Sequence, residues 1–250
     1  MTAHGPAAGD ETTQDDPGTD GPQAVIFDLD GVLIDSEQVW DEIRRQLVAE
    51  RGGSWLPDST RAMMGMSTPE WASYLVGLGI GMTAGEAVDE VLRRLGERYG
   101  DAPPLIDGAV DAVRALAAEL PLAVASSSPQ AIIERVVRTA GLADAFVALV
   151  SSEGVAAGKP APDVYLEAAR RLAVPPERCV AVEDSTNGVR AAVAAGMAVV
   201  VVPNPHFPPS ATALELAAAR VEHTGALTPA DVRAAYRARP TGSTPGTSQR

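Results

Sequence analysis

Five short runs along the chain are apolar from end to end: Ala24–Phe27, Leu122–Ala125, Phe146–Val150, Val180–Val182 and Ala198–Val202. They do not alternate apolar with polar residues, so each predicts a strand covered on both faces, as in a parallel sheet. Most are separated by stretches with helical apolar spacing, which predict helices over Ala109–Glu119, Ala131–Ala140, Asp163–Leu172 and Gly188–Ala195. Strand alternating with helix means βαβ units joined by right-handed crossovers. The expected fold class is therefore α/β, a doubly wound Rossmann-like parallel sheet.

One interval breaks the alternation. Residues 38 to about 104 hold no strand pattern and predict helices over Val39–Arg51, Asp58–Met64, Pro69–Leu78 and Gly85–Tyr99. Thr68-Pro69 and Thr83 read as helix starts, and Pro103-Pro104 as the exit linker. An all-helical insert after the first strand predicts a second domain. The expected division is a sheet core over 23–38 plus 105–238 and a helical cap over 39–104. Residues 1–22, rich in Gly, Pro, Thr, Ala and acids, and residues 239–250 predict disordered tails.

Composition narrows the function classes. The 250 residues are 46% hydrophobic and 21% charged, enough to bury one sizeable core, or one core plus a small second domain. Aromatics are only 4%, so Ala, Val and Leu must build the interior. A formal net charge of -13 argues against a nucleic-acid partner, which needs clustered Lys and Arg, and does not favour an anionic membrane surface. One cysteine, Cys179, excludes an intramolecular disulfide and sits in an apolar run, where it reads as strand core. No apolar run reaches the roughly 18 to 20 residues of a membrane span. The N-terminus shows no basic segment followed by an apolar one, so a cytoplasmic protein is expected.

Ligands of open α/β sheets bind beyond the carboxyl ends of the strands. Asp28 and Asp30 follow the first strand, Ser126-Ser127-Ser128 the second, Gly158-Lys159-Pro160 the loop after the third, and Glu183-Asp184 with Ser185-Thr186-Asn187-Gly188 the fourth. Each piece alone has a plain reading: a common Asp-x-Asp, a serine cap, acids at a helix start, a surface lysine. Asp35, Ser36 and Glu37 are read as capping the helix that follows. Together the pieces say more. Four carboxylates at one spot cannot all ionise without a cation. Hard oxygen ligands suit Mg²⁺, which also binds substrate phosphate. Hydroxyls at a helix N-terminus and a lysine complete an anion site. Lys159 is the only lysine, the other 19 basic residues being arginine, which suggests that a compact ammonium is needed there. A small phosphorylated metabolite is the expected partner.

In order and spacing, "FDLDGVLIDSE", "VASSS", "GKPAPDVY" and "VEDSTNGVRAAVAAGM" resemble the four motifs of the haloacid dehalogenase superfamily. The insert resembles the C1-type cap of its phosphoglucomutase and small-molecule phosphatase branch, and the resemblance covers about residues 23 to 225. It implies that Asp28 is the nucleophile, becoming an aspartyl phosphate. Asp30 is then the general acid for the leaving alcohol and the base for the attacking water. The Asp28 carboxylate, the Asp30 carbonyl and Asp184 are implied to hold Mg²⁺, with Glu183 contributing directly or through water. Ser126 and Lys159 are implied to grip the phosphoryl oxygens, assisted by the amides of Leu29 and Ser127, while Asn187 and Gly188 shape the last loop.

The second aspartate discriminates within the superfamily. The dehalogenases resemble this chain but carry Tyr at the place of Asp30 and need no Mg²⁺. The implied activity is thus hydrolysis of a phosphomonoester, a sugar or polyol phosphate. A β-phosphoglucomutase-type mutase is the alternative. That branch usually has a cap His where Trp40 stands, and an arginine where Thr68 stands. "DSEQVWDE" resembles the sugar phosphatase branch related to 2-deoxyglucose-6-phosphatases. Trp40, Met64, Gly65, Met66 and Ser67 either face the substrate or pack the cap. A catalytically inactive phospholigand-binding protein is the alternative of another class, opposed by the intact Asp28, Asp30, Ser126, Lys159 and Asp184. His4, His206 and His223 read as structural or solvated. A monomer with a mobile cap is expected.

Overall fold

The computed structural model describes residues 21–64, 66–100 and 102–239. Most of both expected tails, together with His4 and Gly65, lies outside the described residues. Six parallel strands form one sheet: β1 (Ala24–Phe27), β2 (Leu122–Ser126), β3 (Phe146–Ser151), β4 (Cys179–Glu183), β5 (Ala198–Val201) and β6 (Ala219–Arg220), in the order β3-β2-β1-β4-β5-β6. Five lie where the apolar runs predict them. β6 is two residues long and pairs with β5 through Val200 and Ala219, too short to carry a pattern of its own.

Four helices lie between β1 and β2 in an insert, α1 (Glu37–Glu50), α2 (Ser59–Met63), α3 (Thr68–Gly77) and α4 (Ala84–Tyr99), followed by α5 (Ala109–Ala117). The rest of the chain adds α6 (Gln130–Thr139), α7 (Asp163–Leu172), α8 (Thr186–Ala194), the single turn α9 (Ala211–Leu214) and α10 (Pro229–Ala238). None of the described helices is long and apolar enough to cross a membrane.

Both faces of the central strands β1, β2, β4 and β5 are covered, which is why these strands are apolar up to the polar residues that end β2 and β4, whereas Val147 of the outer strand β3 is exposed. Val25 and Phe27 of β1 join one core layer with Val113 of α5, Ile133 of α6 and Val232 of α10. Ala24 and Ile26 point the other way, into a layer with Tyr165 and Ala168 of α7 and Val189 of α8. Full burial of Ile26 or Phe27 contributes about 1.5–3 kcal/mol each, and a charge at either position would remove a central strand. Cys179 is buried in β4, where burial pushes its thiol up to about 12.

The insert has its own apolar seam. Ile43 and Leu47 of α1, Trp71 and Leu75 of α3, and Val91 and Leu95 of α4 recur at helical spacing and are buried together. Capping boxes set two helix starts, Ser67 with Glu70 before α3 and Thr83 with Glu86 before α4. The two connections to the sheet run side by side. Ile34 bridges Leu105, the Asp35 amide donates to the Pro104 carbonyl at 2.7 Å, and the Ile106 amide donates to the Leu33 carbonyl at 3.0 Å. β1 lies between β2 and β4, so the chain direction across the sheet reverses beside it. The crevice at the carboxyl ends of β1 and β4 is therefore the switch point where such folds bind ligands.

Candidate active site

Directly after β1 the chain turns sharply. The Leu29 carbonyl accepts hydrogen bonds from the amides of Val32, Leu33 and Ile34 at 3.3, 2.8 and 3.2 Å. Gly31 takes φ +74°, and a Cβ there would lie 1.8 Å from Asp184 Oδ2. Only glycine fits, on both counts. The turn holds Asp28 and Asp30 at the end of β1, against Asp184 beyond β4.

Asp28, Lys159, Glu183 and Asp184 are all buried. Lys159 Nζ lies 3.0 Å from Asp28 Oδ1 and 2.6 Å from Glu183 Oε1. Glu183 Oε1 also accepts from the Tyr165 hydroxyl at 2.7 Å. Its Oε2 accepts from the amides of Asp184 and Ser185 at 3.0 and 3.1 Å, and from Ser185 Oγ at 3.1 Å. A Cβ at Gly188 would come 1.7 Å from Glu183 Oε1, so this glycine makes room for the carboxylate. Burial pushes Asp28 up to about 8, helped by Glu183 and Asp30 and opposed by Lys159. Burial, then Glu183, raises Asp184 well above the usual carboxylate range. Burial alone would lower Lys159, but Asp28 and Glu183 beside it hold its ammonium charged.

One lysine cannot balance three buried carboxylates. Carboxylate oxygens of Asp28, Glu183 and Asp184 lie within 4.8 Å of one another. Asp184 Oδ1 is buried without a hydrogen-bond partner among the described residues, and Asp28 Oδ1 has the ion-pair contact to Lys159. Clustered hard oxygens with an unsatisfied lone pair are the donor set of a small divalent cation. The residues present fit one.

Asp30 is held differently. Its Oδ1 accepts from Ser36 Oγ and from Trp40 Nε1 at 3.1 Å, and its Oδ2 accepts from Ser128 Oγ at 2.5 Å. These donors come from the start of α1, from α1 itself and from the loop after β2, so the carboxylate sits where insert and sheet meet. Ser126 is buried and its Oγ accepts from the Ser128 amide at 3.0 Å. Ser126, Ser127, Lys159, Asp28, Asp30 and Asp184 line one cavity. Leu29 is buried beneath it, and its backbone amide helps hold the Asp28 carboxylate.

Several expectations change here. None of the three serines caps α6, whose first flanking residue is Pro129. Ser36 occupies the N-cap position of α1 but makes no capping bond, because its hydroxyl is drawn to Asp30. Glu37 is in the first turn of α1 and lines the cavity rather than capping. Asp35 is exposed. Trp40, Met64 and Met66 line the cavity, whereas Ser67 does not; it caps α3 and packs against Gly158, and Gly65 lies outside the described residues. Asn187 Nδ2 reaches the Met64 carbonyl at 3.4 Å, tying α8 to the insert.

Sequence reasoning gives no site role to Glu37 or Arg44, which line the cavity together with Met63 and Ser128. The Arg44 guanidinium carbon lies 4.6 Å from the Trp40 ring centre and 5.0 Å from that of Trp71. Its Nε is buried with no hydrogen-bond partner among the described residues. Burial lowers Arg44 to about 10 against the pull of Glu37 and Asp30, and burial with Asp30 raises Glu37 to about 7. The available signal was the spacing of Glu37, Trp40 and Arg44 at i, i+3 and i+7, one helix face.

A family profile described as haloacid dehalogenase-like hydrolase matches residues 22–196. The chain is 40% identical over 189 residues to hexitol phosphatase B of Escherichia coli strain K12, covering 73% of this chain and 84% of that protein. It is 34% identical over 185 residues to the phosphorylated carbohydrates phosphatase of Thermotoga maritima, covering 70% of this chain and 82% of that protein. Among solved structures, CbbY from Rhodobacter sphaeroides in complex with phosphate superposes with a TM-score of 0.72 at 26% identity, covering 84% of this chain and 99% of that one.

Proposed function

The chain belongs to the haloacid dehalogenase-like hydrolases and acts on phosphoric monoesters, and from that premise we propose that it hydrolyses a small sugar or polyol phosphate through a phosphoryl group carried on Asp28, with Mg²⁺ bound. The observation that carries this reading is the buried cluster of Asp28, Lys159, Glu183 and Asp184 at the carboxyl ends of β1 and β4. Relatives named hexitol phosphatase B and phosphorylated carbohydrates phosphatase support the substrate class.

The Asp28 carboxylate, the Asp30 carbonyl and Asp184 would hold Mg²⁺, with Glu183 contributing through water, since protein donors already converge on both its oxygens. Bound there, the cation supplies positive charge to the phosphoryl oxygens. Lys159, Ser126 and the amides of Leu29 and Ser127 position the same group. A carboxylate oxygen of Asp28 attacks phosphorus, and the bond to the leaving alcohol breaks as Asp30 gives that oxygen its proton. Asp30 next takes a proton from a water that attacks the phosphorus, which breaks the bond to Asp28 and releases inorganic phosphate. Phosphoryl transfer needs mainly positioning and charge neutralisation, which these residues provide.

The same reading divides the chain into a core over 23–38 plus 105–238 and a cap over 39–104 that closes over the substrate and excludes stray water. Its test is phosphate release from a panel of phosphomonoesters, with and without EDTA. Hexitol and hexose phosphates are expected to be turned over, and EDTA to stop turnover until Mg²⁺ is restored. Asp28→Asn is expected to lose at least about 10³-fold in kcat. Full turnover by that variant, or activity surviving complete metal removal, would sink the mechanism. Glucose 1-phosphate with a bisphosphate activator gives the mutase its chance in the same panel.

A further inference from the structure

Arg44 presents a problem that hydrolysis of a phosphate group does not explain. A guanidinium on α1 of the insert is held over two indole rings, at 4.6 and 5.0 Å, and lines the catalytic cavity. Stacking against Trp40 and Trp71 satisfies its faces but none of its N–H groups. Its buried Nε has no partner among the described residues. A buried donor without an acceptor is costly, so it marks a place where something else supplies one. Glu37 lines the same cavity, two turns earlier on the same face of α1.

We propose that Glu37 and Arg44 form the subsite that reads the hydroxyl groups of the leaving alcohol, Arg44 donating to one hydroxyl oxygen and Glu37 accepting from a neighbouring hydroxyl. This rests on the phosphatase reading above and deepens it. The ligand class is a neutral polyhydroxylated alcohol rather than one bearing a second anionic group. Charge decides between the two. Besides Lys159 and Arg44, the cavity is lined by Asp28, Asp30, Glu37 and Asp184. Lys159 is already committed to Asp28 and Glu183. A second phosphate or carboxylate placed on Arg44 would meet the Glu37 carboxylate in the same cavity. A hydroxyl pair meets no such penalty and satisfies both an acceptor and a donor. Trp40, Met63 and Met66 supply the apolar wall for the carbon chain. Neither residue touches the reacting atoms, so both are specificity residues.

The test compares the full-length wild type with Arg44→Met, Arg44→Lys and Glu37→Gln. Three substrates are used: a hexitol phosphate, a hexitol bisphosphate, and p-nitrophenyl phosphate, which has no hydroxyl on its leaving group. Arg44→Met keeps an unbranched apolar side chain beside the two indoles. It is expected to lower kcat/KM for the hexitol phosphate about 10- to 100-fold, mostly through KM, and to leave p-nitrophenyl phosphate within about threefold. Glu37→Gln is expected to act in the same direction, and Arg44→Lys to recover part of the loss. Equal losses on all three substrates would overturn the subsite, because they would mean a structural role. A loss confined to the bisphosphate would overturn it too, because Arg44 would then read a second anion. If the wild type turns over p-nitrophenyl phosphate and hexitol phosphate but the variants match it, the subsite alone is wrong. If the wild type hydrolyses none of the esters, the phosphatase reading falls and takes the subsite with it.

Discussion

At the scale of single residues, burial turns ordinary side chains into specialised ones. Lys159 is surrounded by carboxylates at 3.0 and 2.6 Å, a space cut for an ammonium. Lys159→Arg keeps the charge but forces a planar fork into that space. It is expected to cost about 100-fold or more in kcat, with a lower melting temperature from overpacking; steady-state kinetics and thermal melting check both. Glu37 makes a pH prediction. Its ordinary value of 4.5 rises to about 7 in the folded chain, through burial first and Asp30 second. Between those two values the folded state holds the proton that the unfolded state releases. Stability therefore falls as pH rises from 4.5 to 7. Glu37→Gln should flatten the melting temperature against pH in that window, and an unchanged slope would assign the titration to other acids.

At the scale of elements, the site depends on how the insert lies on the sheet. Trp40 in α1 donates to Asp30, and Asn187 at the start of α8 reaches Met64. The most confined contact is at Gly158, in the loop after β3. A Cβ there would sit 2.9 Å from the Ser67 Cβ at the start of α3. Gly158→Val should hold the insert away from the loop without disturbing either core layer. The expected result is a fall of about 10-fold or more in kcat/KM with an unchanged melting temperature, since a misplacement of about 1 Å already weakens positioning strongly. A large drop in melting temperature would show instead that this contact supports the fold.

For the whole molecule, the acidic cluster couples cation binding to folding. Asp28 and Asp184 are both pushed up by burial, so ionising them without a cation opposes the folded state. A cation that binds only the folded chain stabilises it by mass action. Mg²⁺ at about 100 times its dissociation constant should raise the melting temperature by roughly 5–10 °C at this chain length. Asp184→Asn should abolish most of that rise. A melting curve indifferent to Mg²⁺ in the wild type would remove the cation from the site. The net charge of -13 works in the same direction, since an acidic surface attracts cations and repels nucleic acid.

Local pattern was enough for much of this protein. Continuous apolar runs mark β1 to β5, in the central strands because burial on both faces leaves no polar positions, and the chain places its carboxylates and serines at their ends and its lysine in the loop after β3. That adjacency made the cluster of Asp28, Asp30, Lys159, Glu183 and Asp184 readable, because a parallel sheet delivers every strand end to one edge. Pattern could not reach β6, which is formed by pairing with β5 rather than by its own two residues. It also misjudged Ser36 and Glu37, whose local chemistry is that of a helix cap. Ser36 folds back on Asp30 from the start of α1, Ser128 arrives in the loop after the neighbouring strand β2, and only the seating of α1 over that edge of the sheet brings Trp40 within reach. Packing inside the insert brings Trp71 of α3 to Arg44 and Trp40 of α1, although positions 40 and 71 are 31 residues apart along the chain. What a side chain near the start of a helix does is decided by which partner arrives in space, and no spacing along α1 names Asp30 or Trp71 as that partner.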